Sequence, residues 1–496
     1  MHWLDTSIIL LYLVGTAVVP FALARRQQKK SDFMLAGKKL HWFPLALAEV
    51  AAGFSAISLL GAPGFVMAND LRYAPSLILG LPTIPIIYYF IVPRVYKLQL
   101  VSVYAFLETR FCHAFRYVAV ALFITGKLGY LAMAIYTPAL ALATITGLPV
   151  AFYIAILGLV TAALTMVGGM EGVVWQDVVQ YFVIVGGIVA VVLYFCLGGG
   201  GGNVGGYWRT AAAAGKTRML DFSFRLDALS VWVLFINAML LGIAGTCSDQ
   251  TTVQRWSSAR SLKDAMKSTV AGYVFGVPVV LVLYFIGICL YGFCQSHPLP
   301  PEIATEADRA FPYFAATYLP RGACGLLMAG VLAAGMSTIS AVLHSLTSLF
   351  MVDVWEKLRP DAAQGKNYVL VSRIVTVLWG LLAVVAAIYV MKLGNSIIEV
   401  SGIVTSFMSA PLGGVFMLGM FTRRANTAGT LAGIACGVAV AVACWTLNKS
   451  GTLGINFMWF SVFSLLATCL VGYLASLLFA AMAQFAQHKR HPGGCP

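Results

Sequence analysis

The sequence predicts an all-α polytopic membrane protein forming one membrane domain, and three observations carry that prediction. Of 496 residues, 60% are hydrophobic and only 10% are charged, whereas a soluble domain carries roughly 25% charged residues. Mean hydropathy is +0.87. The apolar residues gather into runs of about 20, the length that crosses a hydrocarbon core of about 30 Å. These runs do not alternate as the strands of a barrel would, and a lipid-facing backbone must satisfy its own polar groups, so each run is a helix. A cytosolic enzyme, a soluble nucleic-acid binder and a secreted disulfide scaffold are excluded.

About thirteen runs follow one another: 7–24, 44–66, 75–97, 115–146, 150–168, 174–198, 228–247, 270–293, 322–350, 368–393, 397–421, 426–446 and 455–483. The first follows His2 and Asp5 rather than basic residues and ends in Arg25, Arg26, Lys29 and Lys30. It therefore reads as an extra first helix with a cytoplasmic anchor, not as a cleavable signal. With the N-terminus outside, 22 of the 32 Lys and Arg fall in cytoplasmic loops, 9 fall outside and Lys127 stays within a helix. This bias predicts a multi-pass protein of the cell membrane with its N-terminus out and its C-terminus in.

 It also accounts for the net charge of +14 without nucleic acid as a partner; the partners expected are the lipid bilayer and small solutes. The longest outward connections are 198–227, opening on the run Gly198–Gly202, and 294–321. The first reads as a flexible lead-out. Cys196, Cys247, Cys289, Cys436, Cys444 and Cys469 lie in apolar runs and read as small packing residues. Cys294 and Cys324 lie near one membrane face, where a disulfide stays open.

Polar groups within the spans mark where a path could run, because ions and hydroxyl clusters in a membrane helix pair with each other or line a cavity. The helix 44–66 carries Glu49, Ala51, Ala52, Gly53, Phe54, Ser55 and Ser58, then Gly61-Ala62-Pro63-Gly64. Such a stretch permits an unwound turn whose freed carbonyls suit a cation; a glycine-rich packing face is the alternative. The helix 322–350 puts Ser337, Thr338 and Ser340 within one turn near mid-span. Hydroxyls and carbonyls together suit a small hard cation, whereas singly such residues bond back to their own helix. Lys127 lies about 15 Å deep at 1.5 Å per residue, and should face a wet cavity, an anion, or an acid such as Glu49 or Asp177. Asp177 either caps a helix N-terminus or serves as a cation ligand. Asp249, Gln250, Gln254, Arg255, Glu399 and His344 read as satisfied structural groups. No HExxH, GxSxG or Walker pattern is present, so enzyme chemistry has no visible apparatus.

Together these segments resemble the sodium:solute symporter family. The resemblance runs from Ser31-Asp32-Phe33-Met34-Leu35-Ala36-Gly37 to about Gly437. It includes the stretch Ser102 to Phe111, Gly168-Gly169-Met170-Glu171-Gly172, Asp249-Gln250 with Val253-Gln254-Arg255, Met336 to Ser340, and Phe421 to Gly429. The resemblance implies a LeuT-type 5+5 inverted repeat: an extra helix at 7–24, repeat one over 44–198, repeat two over 228–421 and two peripheral helices over 426–483. Discontinuous helices would begin each repeat. It implies no cofactor beyond Na+ as coupling ion, held by carbonyls of Ala51, Phe54 and Ala334 and hydroxyls of Ser337 and Thr338. The second sodium site of some members would use Asp177 and Ser340, but Ala341 stands where a hydroxyl would help. The nearest members carry small organic anions, which implies a solute site at Lys127, Ser55, Ser58 and Gly53. The function expected is therefore sodium-coupled import of a small carboxylate or other anion by alternating access. The alternatives are a proton- or sodium-coupled carrier of a neutral sugar or amino acid and, less favoured, a membrane-embedded enzyme.

Overall fold

The computed structural model describes residues 2–23, 29–97, 101–304, 307–360, 367–390 and 397–490, so the anchor residues Arg25 and Arg26 lie outside the described residues. The described chain is helical, its only β-pairing being a single bridge between Leu40 and Ala259. The principal helices are α1 (Trp3–Leu23), α2 (Trp42–Gly53) and α3 (Ala56–Ala68). The span Leu71–Lys97 follows, then α4 (His113–Thr146), α5 (Val150–Cys196), α6 (Val231–Ser248) and α7 (Gln250–Ser258). Next come α8 (Leu262–Ser296) and α9 (Ala323–Phe350), which continues to Leu358. The last four are α10 (Tyr368–Val390), α11 (Ala410–Phe421), α12 (Thr427–Lys449) and α13 (Met458–Arg490).

Among the described residues, eleven helices are long and apolar enough to cross a membrane, and the bent pair α2–α3 adds a twelfth. The 47 residues of α5 make about 70 Å of helix at 1.5 Å per residue, more than twice the hydrocarbon thickness. It turns at Gly169, whose φ of 52° and ψ of −162° lie where a side chain would be strained. Counting α5 as two crossings brings the total to thirteen.

Burial is very uneven. The most apolar 18-residue window of α9 is 94% buried, against 17% for α1. Thus α9 is the axle of the molecule, packed against α4 and α5 and against both halves of the broken pair. A helix apolar all round is expected either inside a large core or in lipid, and burial separates the two cases. The outer helices expose large apolar side chains, such as Leu11, Val14, Leu470 and Leu474, which suits contact with acyl chains. Asp5 stitches α1 to this axle: its Oδ1 accepts hydrogen bonds from the amides of Gly322 (2.8 Å) and Gly325 (2.9 Å) at the start of α9.

The connecting segments between the spans act as staples. Arg110 donates to the carbonyls of Gly419 (3.2 Å) and Thr422 (2.8 Å). Asp353, buried at the far end of α9, takes Ser102 Oγ and the Arg116 guanidinium, and Arg116 also meets Glu108. Asn426 caps α12 by accepting from the amide of Gly429 at 2.8 Å. Cys294 and Cys324 are both free thiols, so the disulfide left open by the sequence is not formed.

Candidate functional site

The helix α2 stops at Gly53 and α3 starts at Ala56, with a 52° bend between them. Phe54 (φ −89°, ψ 71°) and Ser55 (φ −72°, ψ 162°) leave the helical region. The carbonyls before the break therefore lose their usual partners four residues on. Two of them are met by α9. Ser337 Oγ lies 2.8 Å from the Ala51 carbonyl and 3.1 Å from that of Ala334. Thr338 Oγ1 lies 3.0 Å from the Ala52 carbonyl and 3.1 Å from that of Ala334. Ala51, Ala334, Ser337 and Thr338 are all buried. Two hydroxyls and three carbonyls thus converge where a broken span crosses an intact one. Phe54 sits in the break itself, and the carbonyl that Thr338 meets is that of Ala52.

Of the further cation set, Ser340 Oγ donates to the Ser337 carbonyl (3.0 Å), a bond within its own helix. Asp177 is fully buried and accepts from Arg255 Nη2 at 3.1 Å. Its Oδ1 has no hydrogen-bond partner among the described residues.

A second break falls at Asp249, between α6 and α7. Its φ of −82° and ψ of 105° interrupt the helix, and its carboxylate caps α7 by accepting from the Thr251 amide at 3.0 Å. The same carboxylate pairs with Lys127 at 3.1 Å. The sequence offered Glu49 or Asp177 as the acid for this lysine, and the structure supplies Asp249 instead. Asp249 was read there as a structural helix start. The missed signal is the small-residue segment Gly242 to Ser248 before it, which resembles the run leading to the first break. Gln250 and Gln254 do serve structure, bonding the backbone of 101–103 and Met34. Lys127 also lies 5.5 Å from the ring centres of Phe123 and Tyr130.

Two cavities meet at the first break. One, of about 390 Å³, is lined by Glu49, Gly53, Lys127, Asp249, Arg255 and Thr338 among others. The other, of about 370 Å³, is lined by Gly53, Ser55, Ser58, Tyr73, Ser401 and Ser461 among others. Gly53, Phe54, Leu77, Tyr130 and Val280 border both. Lys127 and the serine pair thus line adjoining chambers, with Gly53 on their shared border.

A broken span crossing a buried axle, a further helix interruption at Asp249 and two chambers at the first break are the architecture of a secondary transporter. Residues 33–437 match the Sodium:solute symporter family, and the chain belongs to that family. It is a multi-pass integral membrane protein and a sodium-coupled symporter. It is 27% identical over 475 residues to the sodium/sialic acid symporter NanT of Aliivibrio fischeri, spanning 94% of this chain and 92% of that protein. It is 28% identical over 442 residues to the human sodium/iodide cotransporter, spanning 87% and 68%. Among solved structures, a substrate-bound, outward-open Na+-coupled sialic acid symporter superposes with a TM-score of 0.87 at 25% identity, covering 97% of this chain and 98% of that one. A nucleobase-cation-symport-1 family transporter (TM-score 0.56, 14% identity, 92% and 96% covered) shares the fold. These neighbours have the LeuT fold.

Proposed function

We propose that the protein imports a small carboxylate-bearing solute together with sodium across the cell membrane. The observation carrying this reading is the meeting of the Ser337 and Thr338 hydroxyls with the Ala51 and Ala52 carbonyls across the break. Sodium would take the oxygens of Ala51, Phe54, Ala334, Ser337 and Thr338 in place of these hydrogen bonds. A cation there clamps α2 to α9 and orders the break. By reciprocity, whatever sodium adds to solute affinity, solute adds to sodium affinity. Release of sodium would loosen the clamp and free α2 to move.

The solute would sit at the junction of the chambers, its carboxylate toward Lys127 and its body against Gly53, Ser55 and Ser58. An ammonium has three donors, so Lys127 can hold Asp249 and still serve a carboxylate. The segments 44–198 and 228–421, each opening on a broken helix, would form the two repeats that move against each other. The relatives named above carry anions, in agreement with this reading. Asp177, through the Oδ1 that Arg255 does not reach, and Ser340 would make a second sodium site.

The test is uptake into proteoliposomes with and without an inward sodium gradient, using labelled monocarboxylates and N-acetylneuraminate. Ser337→Ala combined with Thr338→Ala should abolish the sodium stimulation while the protein still purifies as a folded species. Unchanged stimulation in that variant removes the assignment.

A further inference from the structure

The helix α8 turns two faces toward two different spaces. Thr269, Gly272, Tyr273 and Gly276, spaced three and four residues apart, border the larger solute chamber. Lys267, Val270, Ala271 and Val274 keep the same spacing two residues earlier, and so lie about 200° round the helix. They border an open groove of about 670 Å³ whose opposite wall is Trp42, Ile84, Tyr88 and Tyr89. Val274 and Tyr89 are exposed, so the groove opens away from the chamber. A π-turn over Ile87–Ile91 adds a residue to the helix, and the consecutive Tyr88 and Tyr89 both reach the groove.

The groove is apolar along its length and charged at one end. Lys267 lies in the second turn of α8, at the end that the Lys and Arg bias assigns to the cytoplasm. Phe275, at the other end of the groove, lies about 12 Å further along the helix at 1.5 Å per residue. That is close to the depth of one leaflet, half of about 30 Å. Lys267 is exposed, and among the described residues no acid or hydrogen-bond acceptor meets its ammonium. Lys263, also exposed, stands one turn before it on the same face. The acid beside Trp42 is already engaged: Asp264 accepts from Arg260 at 2.9 Å and from the Trp42 amide at 3.3 Å. Trp and Tyr settle at the membrane–water interface, and basic pockets between spans hold acidic lipid headgroups.

We propose that this groove binds an anionic glycerophospholipid of the cytoplasmic leaflet, its phosphate on the Lys267 ammonium and one acyl chain along Val270 and Val274. A zwitterionic lipid brings its own cation to the phosphate, so an unpaired lysine favours a headgroup of net negative charge. Trp42 opens α2, so the lipid braces the first turn of the broken span.

The experiment uses the full chain in detergent with equal amounts of phosphatidylglycerol and phosphatidylcholine of matched acyl chains, and counts the lipids retained in native mass spectra. Phosphatidylglycerol should be preferred about fivefold, the size of one lysine contact at a membrane surface. Lys267→Gln should bring the preference close to parity, and Lys267→Arg should keep it. Val274→Trp, which fills the groove and leaves the charge, should lower the phosphatidylglycerol retained. Lys449→Gln, in the last turn of α12, should change nothing. Folding of each variant is checked by its melting temperature. Equal retention of the two lipids, an unchanged preference in Lys267→Gln, or the same loss in Lys449→Gln overturns the site. Displacement of the lipid by an equal concentration of glycerol phosphate overturns it in favour of a free phosphate ester.

Discussion

Lys127 and Asp249 lie 122 residues apart in the chain and 3.1 Å apart in space. Depth in the span made a partner necessary for this lysine, but depth alone cannot choose among acids on other helices. Lys127→Met should leave the Asp249 carboxylate without its cation, and Asp249→Asn should do the reverse. Both side chains retain some exposure to the cavity, so the loss is less than for a sealed pair. A double-mutant cycle on sodium-driven uptake should give a coupling of about 0.5–3 kcal/mol, and strict additivity would separate the two residues. Ser337 and Thr338 were easier to read. Their hydroxyls are consecutive and sit mid-span, so the triplet with Ser340 stood out before any contact was known. Ser340 shows the limit of that signal, since its hydroxyl turns back to the carbonyl of Ser337.

At the scale of elements, the first break was legible and the second was not. Gly53 and Ser55 are weak helix formers beside a stretch of small residues, so unwinding was a direct expectation. At Asp249 the same feature reads as an ordinary N-cap, and the interruption became visible only from the non-helical backbone between α6 and α7. The pair α12–α13 makes a sharper claim about packing. A Cβ at Gly433 would lie 2.5 Å from the Thr468 carbonyl oxygen and 2.8 Å from Gly472 Cα. Both are backbone atoms, so the helices would have to separate. Gly433→Val should destabilise the folded protein by about 1–3 kcal/mol, seen as a lower melting temperature in detergent. The short helix Ala105–Arg110 supplies a pH-dependent element. Burial pushes the Glu108 carboxyl up, but hydrogen bonds from Arg116, His113 and Lys357 outweigh it and hold the group at about 2, below its ordinary 4.5. A depressed carboxyl stabilises the fold above its unfolded value and ceases to do so as pH falls through its folded value. The contribution of this cluster should therefore fade between pH 4.5 and about 2. Glu108→Gln should melt at a lower temperature at neutral pH and differ less from the wild type near the acid end of that window.

For the whole molecule, the sodium clamp has a thermodynamic signature independent of any solute. A ligand that binds only the folded form adds about 2.7 kcal/mol of stability at one hundred times its Kd. Sodium should raise the melting temperature of the purified protein, choline at equal ionic strength should not, and the Ser337→Ala, Thr338→Ala variant should lose the difference. The charge of the cargo then governs the energetics of transport. One charge crossing 100 mV is worth about 2.3 kcal/mol, and a tenfold sodium gradient adds about 1.4 kcal/mol. One sodium with a net-neutral solute could thus sustain about 500-fold accumulation, whereas one sodium with a monovalent anion retains only about tenfold.

The link from Asp5 to the amides of Gly322 and Gly325 bears on how the protein can be handled. An affinity tag appended ahead of Met1 leaves that capping carboxylate in place. Removing the first five residues, by cloning or by a protease, would uncap the central rod and shorten the preparation's shelf life.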